Sequence, residues 1–188
     1  MVDKEPDAGF PSFSIDRATE ADVDELHRMV RELAEFEHLA HLCVSTASDL
    51  GQALFGPRPV AEALIGRLND KSEVIAGFAL FFHTYSTFLG RPSLWLEDVF
   101  VRPTHRGRGL GRRFLTELAV IARDRGCGRF EWAVLDWNQP AIRFYESLGA
   151  SVLPDWRVAR LTGEALARLA GGQPAATRVL GDPCTRSG

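Results

Sequence analysis

Residues 94–111, LWLEDVFVRPTHRGRGLG, constrain this 188-residue chain more than any other stretch. An apolar run of β type stops at Pro103, passes through a basic, glycine-dense turn, and opens into an amphipathic helix. That order leaves backbone N–H groups unpaired at a helix N-terminus, where the helix dipole favours an anion. Gly107, Gly109 and Gly111 let a diphosphate approach the main chain closely, and Arg106, Arg108, Arg112 and Arg113 put cations nearby. Two phosphate loops are excluded. The P-loop ends in Gly-Lys-Ser/Thr, and no lysine follows these glycines; the dinucleotide fingerprint spaces its glycines G-x-G-x-x-G, and this run reads G-x-G-x-G. Taken alone, the loop reads equally well as a glycine-rich connection with a basic surface.

A second strand-to-helix motif changes the balance. Residues 135–150, LDWNQPAIRFYESLGA, place Asn138 as an N-cap, Pro140 in the first turn where its missing N–H costs little, and Gly149 where a helix can end. Arg-x-x-Gly-x-Gly after a strand resembles the acetyl-coenzyme A loop of the GCN5-related N-acetyltransferases. Asn-x-x-Ala-x-x-Phe-Tyr-x-x-x-Gly-Ala is similar to the late motif of the same superfamily, and the two occur in its order. Glu32-Leu-Ala-Glu-Phe-Glu37, Phe55-Gly56, Gly77-Phe-Ala-Leu-Phe-Phe82, Tyr85-Ser-Thr87, Leu96-Glu-Asp98 and Leu135-Asp-Trp-Asn138 narrow it to the diamine acetyltransferases, the spermidine/spermine and thialysine group. The Tyr-Ser-Thr and Leu-Asp-Trp-Asn-Gln segments resemble the thialysine branch more. The mammalian spermidine enzymes carry an Asp and a Trp near the positions of Ser86 and Phe88.

Bulk properties fit one soluble domain with a sizeable core: 45% apolar and 25% charged residues, net charge −3. That charge gives no support to nucleic-acid binding, and no apolar run approaches the ~20 residues that span a bilayer. The polar, acidic start is no signal peptide. Cys43, Cys127 and Cys184 are odd in number and lack metal-type spacing, so a reducing cytoplasm and no structural metal are expected. The expected organisation is a leader over 1–11, an acetyltransferase domain over 12–170, and a tail from Gly171 rich in Gly, Pro, Ala and Thr.

Within the domain, strands are expected at 12–18, 59–67, 73–83, 92–101 and 128–135, with 151–161 as the last paired segment. Helices are expected from a Thr19 cap to about Leu39, over 46–55, from the glycine loop to Gly126, over 138–148, and over 162–170. Leu26, Val30 and Leu33 form the inward stripe of the first helix, and Glu37 continues it at i+11. Leu110, Phe114, Leu118 and Ile121 mark one face of the helix after the glycine loop. The resemblance implies a mixed, largely antiparallel central sheet flanked by helices and splayed where acetyl-CoA enters.

An acetyl thioester is already activated, so the difficulty lies in presenting a neutral amine to it. An amine of pKa ~10.4 is mostly protonated at pH 7, a handicap of roughly 4–5 kcal/mol. Acids that bind the ammonium and take its proton, and an acid that protonates the leaving thiolate, suit the task. Glu97 and Asp98 stand out because Leu94-Trp-Leu and Val-Phe-Val enclose them. Neighbouring strand residues point to opposite faces, so both can serve one site only across a bulge or splay. Glu97 is the expected base and Asp98 a substrate-binding acid; solvated acids on an edge strand are the alternative. Tyr145 is, by resemblance, the acid for the thiolate, with Phe144 beside it as core. Val99, Phe100 and Val101 would pair with the pantetheine arm, and Arg106, Gly107, Arg108, Gly109, Leu110, Gly111 and Arg112 would hold the diphosphate, with Asn138 and Ala141 also at the cofactor. Phe36, Glu37 and Trp156 are candidates for the far end of the acceptor pocket. The implied partners are a small cationic amine and, by family habit, a second copy of the chain. Competing readings are an acetyltransferase for aminoglycosides or protein N-termini, and a non-catalytic acyl-CoA sensor.

Overall fold

In the computed structural model, which describes residues 12–69 and 74–171, the hairpin pattern of the first half closes into one five-stranded sheet. The strands are β1 (Phe13–Arg17), β2 (Glu62–Leu68), β3 (Ile75–Ser86), β4 (Arg91–Val101) and β5 (Phe130–Trp132), ordered β1-β2-β3-β4-β5. Neighbours are antiparallel except β4 and β5, which run parallel. The sheet is mixed and largely antiparallel, as expected.

Two compact units divide the chain, one ending at Ala133 and one beginning at Val134. The first holds the sheet with α1 (Val23–Phe36), α2 (Ala47–Phe55) and α3 (Leu110–Asp124). Thr19 starts the helical segment: its N–H and its hydroxyl both donate to Asp22 Oδ2, each at 2.8 Å. Thr46 caps α2, accepting the Asp49 N–H at 3.2 Å while its own N–H and hydroxyl return to the Asp49 carboxylate. On one face of the sheet, Leu26 and Met29 of α1 and Leu54 of α2 pack with Ile65, Phe78 and Phe100. The inward stripe therefore centres on Leu26 and Met29, with Val30 and Leu33 only partly covered at its flank. On the other face α3 buries Leu110, Phe114, Leu115, Leu118 and Ala122, where Ile121 is only half-buried. Leu110 and Phe114 lie so close to Gly66 that a Cβ there would stand 2.8 Å from a leucine methyl.

The second unit contains α4 (Gln139–Glu146) and α5 (Gly163–Leu169). Two expectations need correction. The strand expected over 128–135 forms a ladder only across three residues, Phe130–Trp132. The segment 151–161 is not paired: it forms no ladder among the described residues and is exposed throughout. Pro154 lacks a ladder donor and turns with Asp155, and Arg157 Nη1 closes that turn on the Pro154 carbonyl at 3.1 Å. The expected leader, and the tail beyond Gly171 with Cys184, lie outside the described residues.

Candidate active site

The ladder between β3 and β4 carries the irregularity the acidic pair requires. Leu96 pairs with Phe81 and Asp98 with Leu80, so Glu97 is an extra residue opposite the Leu80–Phe81 step. Before it, Leu94 and Leu96 share a face with Phe81; after it, Asp98 and Phe100 share the α1 face with Leu80 and Phe78. A bulge of this kind sets both of its residues toward one side. Glu97 is exposed and accepts Trp95 Nε1 at 3.0 Å, while Asp98 is half-buried.

Burial, then the charges of Glu97 and Glu37, pushes the Asp98 carboxyl from an ordinary 3.8 up to about 7. Burial also raises Glu37, the C-cap of α1. Glu97 and Glu37, from two different elements, thus both lie within electrostatic reach of Asp98. A cation entering among them would relieve the repulsion that raises Asp98.

Beyond Leu96 the sheet opens. β5 leaves β4 after the Leu96–Trp132 pair, and residues 97–101 pair only with β3. The Arg102 N–H donates to Ala76 on β3 at 2.9 Å. Because the two groups of a trans peptide point oppositely, the Val101 carbonyl faces the open edge, and by strand alternation so do the polar groups of Val99. Phe100 differs: its carbonyl lies against Gly77 of β3, and its ring is buried in the core.

The glycine loop continues from that edge. Gly107 (φ +76°) and Gly109 (φ +82°) take left-handed conformations, and an added Cβ at either would meet no atom within 4 Å. The backbone needs glycine there, and the space above the loop is open. The first helical bond of α3 runs from Arg113 N–H to the Gly109 carbonyl at 3.0 Å. The N–H groups of Leu110, Gly111 and Arg112 therefore form an open first turn, suited to an anion. The arginines are used unequally. Arg112 is exposed, Arg108 Nη2 reaches the Thr104 carbonyl at 3.2 Å, and Arg113 is bound to the Phe13 carbonyl. Arg106 is also exposed, but its side chain is held: Nε donates to the Val101 carbonyl at 2.8 Å, and its guanidinium carbon lies 4.7 Å from the centre of the Phe36 ring.

A match to the model of the Acetyltransferase (GNAT) family over residues 24–150 decides what such a sheet, loop and acidic pair belong to. The chain belongs to the GNAT acetyltransferase family. It is an N-acetyltransferase, and the donor general to this GNAT family is acetyl-CoA. Among relatives, the thialysine N-epsilon-acetyltransferase of Mus musculus is 37% identical over 85% of this chain and 98% of that protein. The L-ornithine N5-acetyltransferase of Arabidopsis thaliana is 35% identical over 79% and 84%. A spermidine/spermine N(1)-acetyltransferase-like protein of Homo sapiens is 33% identical over 84% of this chain and 24% of its own. These relatives place the chain among the diamine acetyltransferases, on the thialysine side. Of solved structures, an integron cassette protein from V. cholerae superposes with a TM-score of 0.71 at 24% identity, covering 85% of this chain and 98% of its own; that likeness shows the GNAT fold.

In the second unit of this GNAT protein, Asn138 Oδ1 accepts the Ala141 N–H at 3.3 Å and caps α4. Tyr145 is buried at 9% exposure and its ring lies 5.5 Å from that of Phe144, which is only half-buried. The expectation that Phe144 is the core member of the pair is therefore reversed. Trp156 is 75% exposed, on the unpaired segment. Sequence reasoning missed Arg102 and Trp95. Arg102 binds Glu25 and Glu32 of α1 from the end of β4, and Trp95 holds Glu97. Trp95 could have been found, standing two residues before an acid on the same strand; Arg102 required knowledge of how α1 lies on the sheet.

Proposed function

We propose that this enzyme transfers acetyl from acetyl-CoA to a primary amine of a small diamine or amino-acid-derived amine, thialysine-like, ornithine-like or polyamine, by direct attack. The observation that carries the proposal is the gathering of Glu37, Glu97 and Asp98 on the sheet face whose β4 edge lies open. A small amine that arrives as a cation finds carboxylates rather than a nucleophilic Cys or Ser. The open turn at Leu110, Gly111 and Arg112, the left-handed glycines at 107 and 109, and the edge groups of Val99 and Val101 fit a diphosphate and its amide-bearing arm. When bound, acetyl-CoA supplies the activated acyl group.

The chain's own residues then hold the ammonium and move its proton. A base works best with a pKa near the working pH, and Asp98 at about 7 meets that condition. We therefore assign proton removal to Asp98 and ammonium binding to Glu97 and Glu37, exchanging the roles that sequence position alone suggested for the adjacent pair. Tyr145 is assigned protonation of the leaving thiolate through its place in the late motif, and Phe36 and Trp156 are assigned to the acceptor side. A homodimer and a cytoplasmic setting complete the reading.

Release of free thiol from acetyl-CoA against thialysine, ornithine, lysine, putrescine and spermidine, with mass identification of the product, tests it. Turnover with thialysine or ornithine above spermidine is expected. Silence across the panel overturns the acceptor class. A Tyr145→Phe variant should lose turnover by ~100-fold or more while binding coenzyme A with unchanged affinity; retained turnover would remove Tyr145 from the chemistry.

A further inference from the structure

Arg106 belongs by position to the cofactor loop, yet its backbone N–H and Nε are directed elsewhere. Its backbone N–H closes on the Pro103 carbonyl at 3.3 Å and its Nε on the Val101 carbonyl at 2.8 Å. The guanidinium carbon lies 4.7 Å from the Phe36 ring centre and 5.7 Å from that of Phe100. Phe36 is the last residue of α1, and Glu37 follows as its C-cap, with its N–H on the Leu33 carbonyl at 2.9 Å. The next residue, His38, sits at φ +61°, so the chain turns sharply away after Glu37.

Four residues before Arg106, Arg102 treats the preceding turn of α1 in the same way. Its Nε and Nη2 donate to both oxygens of Glu32 at 3.1 and 2.7 Å, and Nη1 lies 2.7 Å from Glu25 Oε1. Glu32 and Phe36 are i and i+4 on one face of the helix. The β4–α3 connection therefore grips the last two turns of α1 through two arginines spaced like the residues they hold.

We propose that the Arg106 side chain is a positioning residue for the acceptor side, stacking on Phe36 while tied to Val101 and so fixing Glu37 beside Asp98. The proposal rests on the acceptor reading above. It makes the glycine loop and the acceptor carboxylates one mechanical piece: what seats on the Val101 edge is felt at Glu37. It also separates the loop's arginines, leaving diphosphate recognition to the open helix turn and the outward Arg112. Asp98 is faced by Glu97 from β4 and Glu37 from α1, so movement of Glu37 alters the field at Asp98.

The test compares Arg106→Gln, Arg106→Lys and Phe36→Leu with the wild type. Measurements are coenzyme A affinity by calorimetry, steady-state KM and kcat for the amine, and a ¹³C carboxyl titration of Asp98. Arg106→Gln and Phe36→Leu should each raise the amine KM about fivefold or more, lower the apparent pKa of Asp98, and change coenzyme A affinity by less than about twofold. The double variant should be no worse than either single one, because both break the same contact. Arg106→Lys keeps the charge but loses the flat guanidinium and Nε, so it should behave like Arg106→Gln. A tenfold loss of coenzyme A affinity with unchanged amine KM, restored by lysine, would show that Arg106 serves the diphosphate and overturn the proposal. Additive effects of the two single variants, or an unmoved Asp98 titration, would overturn it as well. Absence of wild-type turnover would fail the acceptor reading instead, and the Asp98 titration would still judge Arg106.

Discussion

Asp98 holds its proton more tightly in the folded chain than in the unfolded one, at about 7 against 3.8. Its contribution to stability is therefore fully present below about pH 4 and is lost as pH rises through 7. Above that, the half-buried carboxylate costs on the order of 2–4 kcal/mol. Asp98→Asn removes the cost and the base together. Urea unfolding should find the variant more stable than wild type at pH 8 and equal to it near pH 4, while kcat/KM for the amine falls about 100-fold or more. In the wild type, kcat/KM should rise with pH through about 7 as Asp98 ionises, and that limb should vanish in Asp98→Asn. The acidic pair itself was legible in the sequence, because two acids inside an apolar strand need a reason. That Asp98 is raised was not legible. It depends first on the burial of Asp98 once the strand folds, and only then on its neighbours Glu97 and Glu37, the latter about sixty residues earlier.

Among the elements, the glycine loop and its helix were readable from spacing alone, since left-handed backbone at 107 and 109 is a local demand that glycine answers locally. Helix caps at Thr46 and Asn138 were readable for the same reason. The edges of the sheet were not. β5 holds three residues where eight were expected, and 151–161 stays out of the ladder with Val152, Leu153, Trp156, Val158 and Leu161 all exposed. Strand propensity reports what a segment tolerates, and pairing is decided by whether a neighbour's edge is within reach. Met29 escaped the stripe because i and i+3 spacing was passed over for i and i+4, although both lie on the inward face.

Across the sheet-bearing unit, one carboxylate joins three elements far apart in sequence. Arg125, at the end of α3, grips both oxygens of Glu62 on β2, and Arg17 on β1 reaches Glu62 Oε2 at 2.5 Å. The Arg125 guanidinium is the main reason Glu62 is held down at about 2 against an ordinary 4.5. That stabilisation is present above pH 4.5 and is lost as pH falls toward 2. It amounts to about 1–2 kcal/mol once the partial exposure of the pair is discounted. Glu62→Gln should lower the melting temperature at pH 7, and the gap between variant and wild type should close as the pH approaches about 2. Composition showed the charges without showing this pairing, which spans 63 residues and exists only once α3 lies across β2.

The bulge at Glu97 also shows which residue of β4 is surplus to the sheet. Strike it out, and Leu96 still meets Phe81, Asp98 still meets Leu80, and Phe100 still reaches the α1 core, in an unbroken two-residue rhythm. A chain shortened by that single residue should fold and melt within a few degrees of its parent by circular dichroism, while binding amine more weakly. Glu97 is thus carried by the strand outside its ladder, held through its carboxylate by Trp95 Nε1 rather than by a partner on β3.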